Sequence, residues 1–362
     1  MTVLSLHQLN RTLLLRQKLV ERVEMTPFEL VRHLVAVQGQ EPNWPYVGLW
    51  ARLAHFRRDD LAALLRDRKV VRSTMIRRTV HLADADDFRW LRPTVRPAVH
   101  AALQAAYYRD EIEGIDLDAL AVKGRELLSG RLLTRAQLGR ELAEHFPDRH
   151  VRRLAESVEV MVPMAHGPDS GAWGAWRNRA VTIAIAEEWT GLPMDTAPDP
   201  EALILRYLAA FGPATVADVQ AWAGVTKLAE VVARLRPRLR VFRNEAGKEL
   251  FDLPDAPIAD PDLPVPVRFL PAFDNALLGH KDRARVISDE DRARINKIAS
   301  AGVPMYLVDG FVHGRWDLDG TTIRITPWHL LSSADETAVL AEAQRLLSFI
   351  APGETGTIVI NP

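Results

Sequence analysis

An α+β fold is predicted for this chain of 362 residues, and three observations predict it. A run of helices followed by two strands is legible at 200–254 and recurs over 5–82 and, less cleanly, over 119–189. Beyond a proline-rich stretch at 254–266, helical spacing gives way to strand alternation, broken by the turn pairs Asp309-Gly310 and Asp319-Gly320. The length also exceeds the roughly 100–200 residues of a single domain. Repetition of one supersecondary unit reads as tandem winged helix-turn-helix repeats, followed by a β-barrel-like C-terminal domain. The divisions are 1–115, 116–196 and 197–256 for three winged-helix regions and 257–362 for the β-rich domain.

The elements follow in order. Ser5 and Gln8 form a capping box that opens the first helix, with Leu6, Leu9, Leu13 and Val20 at helical spacing. Thr26-Pro27-Phe28-Glu29 supplies a cap, an N1 proline and a capping-box glutamate for the second, whose stripe Leu30, Leu34 and Val37 leads into Gln38. Gly39 and Pro42 are expected to stop that helix, so Gln38 and Gln40 should project from its end. Helices at 45–53 and 60–68 and strands at 70–76 and 79–82 complete the unit.

In the second unit, helices at 120–128, from Thr134 and at 149–162 precede a hairpin. Its tip is 167–171, and Trp173, Trp176, Arg177 and Arg179 lie on its return side. The third has helices at 202–211, from the Thr215 cap to Gly224, and at 226–235, then strands at 239–242 and 249–251 flanking Asn244-Glu245-Ala246-Gly247. Strands at 305–308, 311–316 and 322–325, a helix at 334–349 and a strand at 357–360 finish the chain.

Composition excludes several classes of chemistry. With no cysteine, disulfides, thiolate nucleophiles, iron–sulfur clusters and Cys-rich zinc sites are ruled out. The eleven histidines show no paired zinc spacing, so no metal is expected. Gly247-Lys248-Glu249 is not a phosphate-binding loop, and no nucleotide cofactor is expected. No basic n-region or membrane-length apolar run occurs, so a soluble, cytoplasmic, nucleoid-associated protein is predicted. The net charge is -1, yet residues 1–180 hold 28 Lys+Arg against 22 Asp+Glu and residues 181–362 hold 18 against 25. The first half is the anion-binding side, and arginine supplies 39 of the 46 basic residues.

Two glutamines one residue apart are either solvating a turn or holding something. His81 follows a strand and precedes the helix cap Asp84, so its ring faces either a groove or the core. The stretch 271–283 is more densely polar than a linker requires and either braces a domain interface or touches phosphate. Gln38-Gly39-Gln40, Thr79-Val80-His81-Leu82, the 271–283 stretch and Gly314-Arg315-Trp316 together resemble the AlkZ-like winged-helix DNA glycosylases over nearly the whole chain.

That resemblance implies an N-glycosyl hydrolase of bulky N7-alkylguanine adducts in double-stranded DNA, interstrand crosslinks included, that confers self-resistance to a genotoxic natural product. It implies a monofunctional enzyme acting as a monomer without cofactor or membrane, in which Gln-x-Gln is the catalytic signature. A related branch carries Gln-x-Asp, so Gln40 places this chain with the resistance-type members. Gln38 and Gln40 are the expected catalytic residues, and Asn43, Arg77, Arg78, His81, Arg177, Arg179, Lys281, Arg283 and Arg315 the expected DNA contacts. Glutamine does not titrate, so its role would be to orient water and steady charge on the sugar, the cationic base leaving unaided. The rival expectation is a winged-helix transcriptional regulator without catalytic activity.

Overall fold

The structure is a computed structural model, and it describes residues 2–175, 180–298 and 302–361. Strand β1 (Val3–Leu4) precedes a helix at Leu6–Arg16, capped by Ser5. The next strands are β2 (Val37–Gln38), β3 (Val70–Thr74) and β4 (Val80–Asp84), which form a sheet in the order β2-β4-β3. Strands β5 (Leu133–Thr134), β6 (Met164–His166) and β7 (Thr182–Ile185) repeat that order as β5-β7-β6. In a third sheet, β8 (Arg240–Asn244) pairs with β9 (Glu249–Asp252), and Ala214 bridges to Phe251 in place of a first strand. Two helices separate the first member from the hairpin in every case: Trp44–Trp50 and Arg58–Arg66, Arg135–His145 and Val151–Met161, Val216–Ala223 and Ala229–Leu235.

Strand β1 adds in parallel to the free edge of β8, Val3 opposite Arg243. The start of the chain thereby completes the third sheet. Two residues carry too little periodicity to announce a strand.

The second helix departs from the sequence expectation. Its capping box forms as read, with Thr26 and Glu29 bonded reciprocally, but the helix spans Pro27–His33 and stops well before Gln38. Val35 adopts φ 67, a left-handed conformation unfavourable for a β-branched residue, and the Ala36 carbonyl is taken by Asn275 Nδ2 at 2.9 Å. Val37 and Gln38 then pair with Leu82 and His81. The strand exists because of a partner some forty residues away, which local helical spacing cannot reveal.

The C-terminal sheet is open. Strands β10 (Arg268–Leu270), β11 (Met305–Val308), β12 (Phe311–Asp319), β13 (Thr322–Pro327) and β14 (Thr357–Ile360) follow that order, antiparallel except for the parallel β13–β14 pair. Among the described residues β10 and β14 do not pair, so the expected barrel-like closure is corrected to a five-stranded sheet. The β13–β14 crossover is the helix Ser333–Ile350, whose Val339, Ala343, Leu346 and Leu347 are buried. Asp309 and Gly310 both take positive φ (47 and 79), the geometry a two-residue hairpin turn demands.

Packing does not follow the divisions along the chain. One continuous apolar core joins residues of the first and third units to the C-terminal sheet, whereas the second has its own core around Leu120, Leu138, Leu142, Leu154 and Val158. Buried arginines tie the shared core together. Arg16 pairs with Asp252 at 2.6 Å and Arg52 with Asp274 at 2.8 Å, and all four side chains are buried. The Arg52–Asp274 pair is bidentate, so the 271–283 stretch is anchored directly beneath the first unit.

Candidate active site

Gln38 lies in β2 opposite His81, and Gly39 N–H donates to the Val80 carbonyl at 2.8 Å. The dipeptide that follows turns outward, leaving Gln38 buried and Gln40 exposed. Gly39 is needed for space, not for an unusual backbone conformation. A Cβ there would sit 2.4 Å from Leu82 Cδ1 and 3.4 Å from Pro45 Cγ.

Backbone donors fix both glutamine amides. Gln40 N–H donates to Gln38 Oε1 at 3.3 Å, and Val80 N–H donates to Gln40 Oε1 at 3.1 Å. A backbone N–H cannot accept, so the facing atom must be oxygen in each amide. Each Oε1 keeps a second lone pair, and neither Nε2 has a protein partner among the described residues. The pair can therefore both accept from and donate to a small molecule such as water.

Gln38 and Gln40 share a cavity of about 480 Å³ with Arg77, Thr79, Arg283 and Arg292. Its apolar wall includes Phe273, Leu277, Ile287, Ile295, Val303 and Met305. Burial, then the neighbouring Arg283, pushes the Arg77 guanidinium down to about 10, and burial followed by Arg292 lowers Arg283. Among the described residues Arg77 and Arg283 have no acidic partner, and Arg292 pairs only with the exposed Asp289 at 3.2 Å. Three cations held together with a single exposed carboxylate between them give the cavity a net positive potential. Arg77 (φ 50) and Phe273 (φ 63) are also in the left-handed region, the kind of backbone strain that clusters at functional sites.

The expected DNA contacts divide by position. Arg77 and Arg283 line the cavity, and Arg77 Nη1 also donates to the Trp222 carbonyl at 2.5 Å, bracing the β3–β4 turn against the third unit. Arg78 and Lys281 are exposed, Lys281 in an adjacent cleft with Asp282 and Lys248. Arg315, half-buried on β12, is not in the cavity lining. Asn43 and His81 are each 2% exposed. Asn43 Oδ1 accepts from Gly174 N–H at 2.8 Å, and His81 Nδ1 lies 2.9 Å from the Thr79 carbonyl. Burial, reinforced by Arg77, pushes His81 down to about 3, so the ring is neutral and packed inside. In this conformation both side chains are buried against backbone partners and outside the cavity lining. Arg177 and Arg179 lie outside the described residues.

Sequence reasoning missed Arg292, Phe273 and Arg72. Arg292 lies in the charged helix Asp289–Ile298, which reads as a solvated element. Arg72 lies in β3 beneath the Gly39 carbonyl, and alternation within the strand could have placed it on one face with Val70 and Thr74. Among the described residues no group of three or more His, Asp or Glu could hold a metal ion. No described helix is long and apolar enough to cross a membrane.

A family model described as DNA glycosylase AlkZ-like matches residues 31–349. A relative from Streptomyces sahachiroi, named as an interstrand DNA cross-link repair glycosylase, is 23% identical over 350 residues, covering 86% of this chain and 88% of the relative. The solved structure of Streptomyces sahachiroi DNA glycosylase AlkZ superposes with a TM-score of 0.83 at 21% identity, covering 99% of this chain and all of the other.

Proposed function

This chain belongs to the AlkZ-like DNA glycosylase family, and from that premise we propose that it hydrolyses the N-glycosidic bond of bulky N7-alkylguanine adducts in double-stranded DNA. Crosslinked guanines are part of the reading, supported by the name of the Streptomyces relative, and self-resistance to a DNA-alkylating natural product is carried with it from the resemblance alone. The one observation that carries it is the pair of Gln38 and Gln40 amides, each oriented by a backbone donor, on a cavity ringed by three arginines.

The chemistry follows from charge. As the C1′–N9 bond breaks, its electron pair passes to the base and neutralises the cationic purine, leaving positive charge on the sugar. Water then adds to C1′ and releases a proton to solvent. Glutamine cannot take that proton usefully. The free lone pairs of Gln38 and Gln40 Oε1 accept hydrogen bonds from the attacking water and face the growing positive charge, which is positional and electrostatic catalysis. Arg77, Arg283 and Arg292 hold backbone phosphate, and the apolar wall excludes bulk water. No lysine lines the cavity among the described residues, in keeping with simple hydrolysis and no covalent amine intermediate.

The two sheets of shared strand order, and the third in which the Ala214–Phe251 bridge stands for the first strand, are read as winged helices over 1–115, 116–196 and 197–256, with 257–362 as the β-rich domain. They are taken to grip one duplex within a single chain, as a monomer without cofactor. The regulator reading finds no support in the family or in the relative's name. The experiment is to incubate the protein with duplex DNA bearing a single N7-alkylguanine. The expected products are free alkylguanine and an alkali-labile abasic site, and intact DNA would refute the reading.

A further inference from the structure

Beneath the glutamine turn runs a buried polar chain that crosses from the first unit into the second. Arg72 Nε and Nη2 donate to the Gly39 carbonyl at 3.2 and 3.1 Å, and Nη2 also approaches the Gln40 carbonyl at 3.5 Å. Its Nη1 lies 2.7 Å from His166 Nδ1. On the far side of the ring, His166 Nε2 is 3.0 Å from Glu159 Oε1. Glu159 in turn accepts from Arg135 at 2.6 and 2.8 Å and from the Thr74 hydroxyl at 2.9 Å.

The partners dictate the protons. Arginine only donates, so His166 Nδ1 must accept and the ring hydrogen must sit on Nε2, donating to Glu159. One neutral tautomer satisfies both ends. Burial, against the pull of Glu159, holds the imidazole down at about 4, which agrees with that assignment. Arg72, His166 and Glu159 are each no more than 8% exposed, and none of them has a buried side-chain atom left without a hydrogen-bond partner. A fully satisfied buried network of this kind has a defined geometry and resists small displacements.

Its output is specific. Among the described residues the main-chain atoms Arg72 reaches are those of Gly39 and Gln40. The Gly39 N–H is held from the opposite side by Val80. We propose that Arg72, aligned by His166 and Glu159 of the second unit, is a positioning residue that fixes the Gln38-Gly39-Gln40 turn so that both amides meet the reacting sugar. The inference rests on the functional reading of that site. It makes the second unit part of the active site's construction as well as a DNA-gripping module.

The test compares His166→Leu, which removes both ring partners, with His166→Gln, whose amide oxygen can accept from Arg72 while its NH2 donates to Glu159, and with Arg72→Lys. Single-turnover base release, duplex affinity and hydrogen exchange of the Val80 amide are measured on each folded protein. His166→Leu and Arg72→Lys should slow release by about tenfold or more, because small misplacements of reacting groups cost that much. Duplex affinity should stay within about twofold, the phosphate contacts being untouched. Val80 exchange should speed up, since its acceptor is Gln40 Oε1. His166→Gln should restore both rate and protection. If His166→Leu does not fold, Arg72→Lys against wild type decides the matter. Unchanged release and exchange in the folded variants, or equal loss in His166→Gln and His166→Leu, would overturn the proposal. If the wild type releases no base at all, the functional reading fails, while the Val80 exchange still reports whether the network holds the turn.

Discussion

The Val80 backbone N–H donates to Gln40 Oε1 at 3.1 Å, so a main-chain group of β4 fixes the orientation of an exposed side chain from the β2 turn. That contact turns a flexible amide into an oriented one. Its oxygen faces inward with one lone pair spare, and its NH2 group is left for the substrate side.

Gly39→Ala tests the space beneath the turn. The added Cβ would lie 2.4 Å from the buried Leu82 side chain. Overpacking of this kind costs about 1–3 kcal/mol. Denaturant unfolding should show that loss, and base release should fall further than stability explains, by about tenfold or more, as the amides shift.

Arg283→Ala tests the positive potential of the cavity. One lost phosphate contact should lower the slope of log affinity against log salt concentration by about 0.9. Duplex-binding titrations at several salt concentrations measure this, and a slope identical to wild type would place Arg283 away from the DNA.

Much of the fold was legible because its signals are local. The boxes at Thr26, Thr134 and Thr215 bond reciprocally as their spacing required, whereas at Ser5 only half the box forms, because the Gln8 side chain donates to the Ala259 carbonyl instead. Elements set by distant partners were not legible. Strand β1 depends on Arg243 and Asn244, and β2 on His81 and Leu82. The same holds for the site: Gln38, Gln40 and Arg283 stood in quoted motifs and Arg77 just before one, whereas Arg292 joins them only through folding. The 271–283 stretch, read as either brace or phosphate contact, braces through Asp274 and lines the cavity through Arg283.

Acid should destabilise the protein. Burial pushes His81 and His280 down to about 3 and His166 to about 4, below the unfolded value of roughly 6.5. Neighbouring charges modify this: Arg77 at His81, Arg285 against Asp218 at His280, and Glu159 against Arg72 and Arg135 at His166. The unfolded chain binds these protons first, so stability is full above about pH 6.5 and falls as pH drops toward 4. Asp84 and Asp252, raised by burial, oppose the trend in part. Melting temperatures across pH 7.5 to 4.5 should decline, and His166→Gln should give a shallower decline.

Arg52→Met should be strongly destabilising. It leaves Asp274 buried without its bidentate partner, a loss of about 3–5 kcal/mol. Chemical denaturation measures it. The double variant Arg52→Met with Asp274→Leu should recover much of the loss, since no orphaned charge remains.

The central claim is that two fixed glutamine amides release an alkylated base. Single-turnover release of N7-alkylguanine from a defined duplex, by wild type and by Gln38→Ala/Gln40→Ala, tests it most directly. The account expects the double variant to bind the duplex within about twofold of wild type, its phosphate contacts intact, and to release no base above the spontaneous rate. Release by the double variant at the wild-type rate would contradict it.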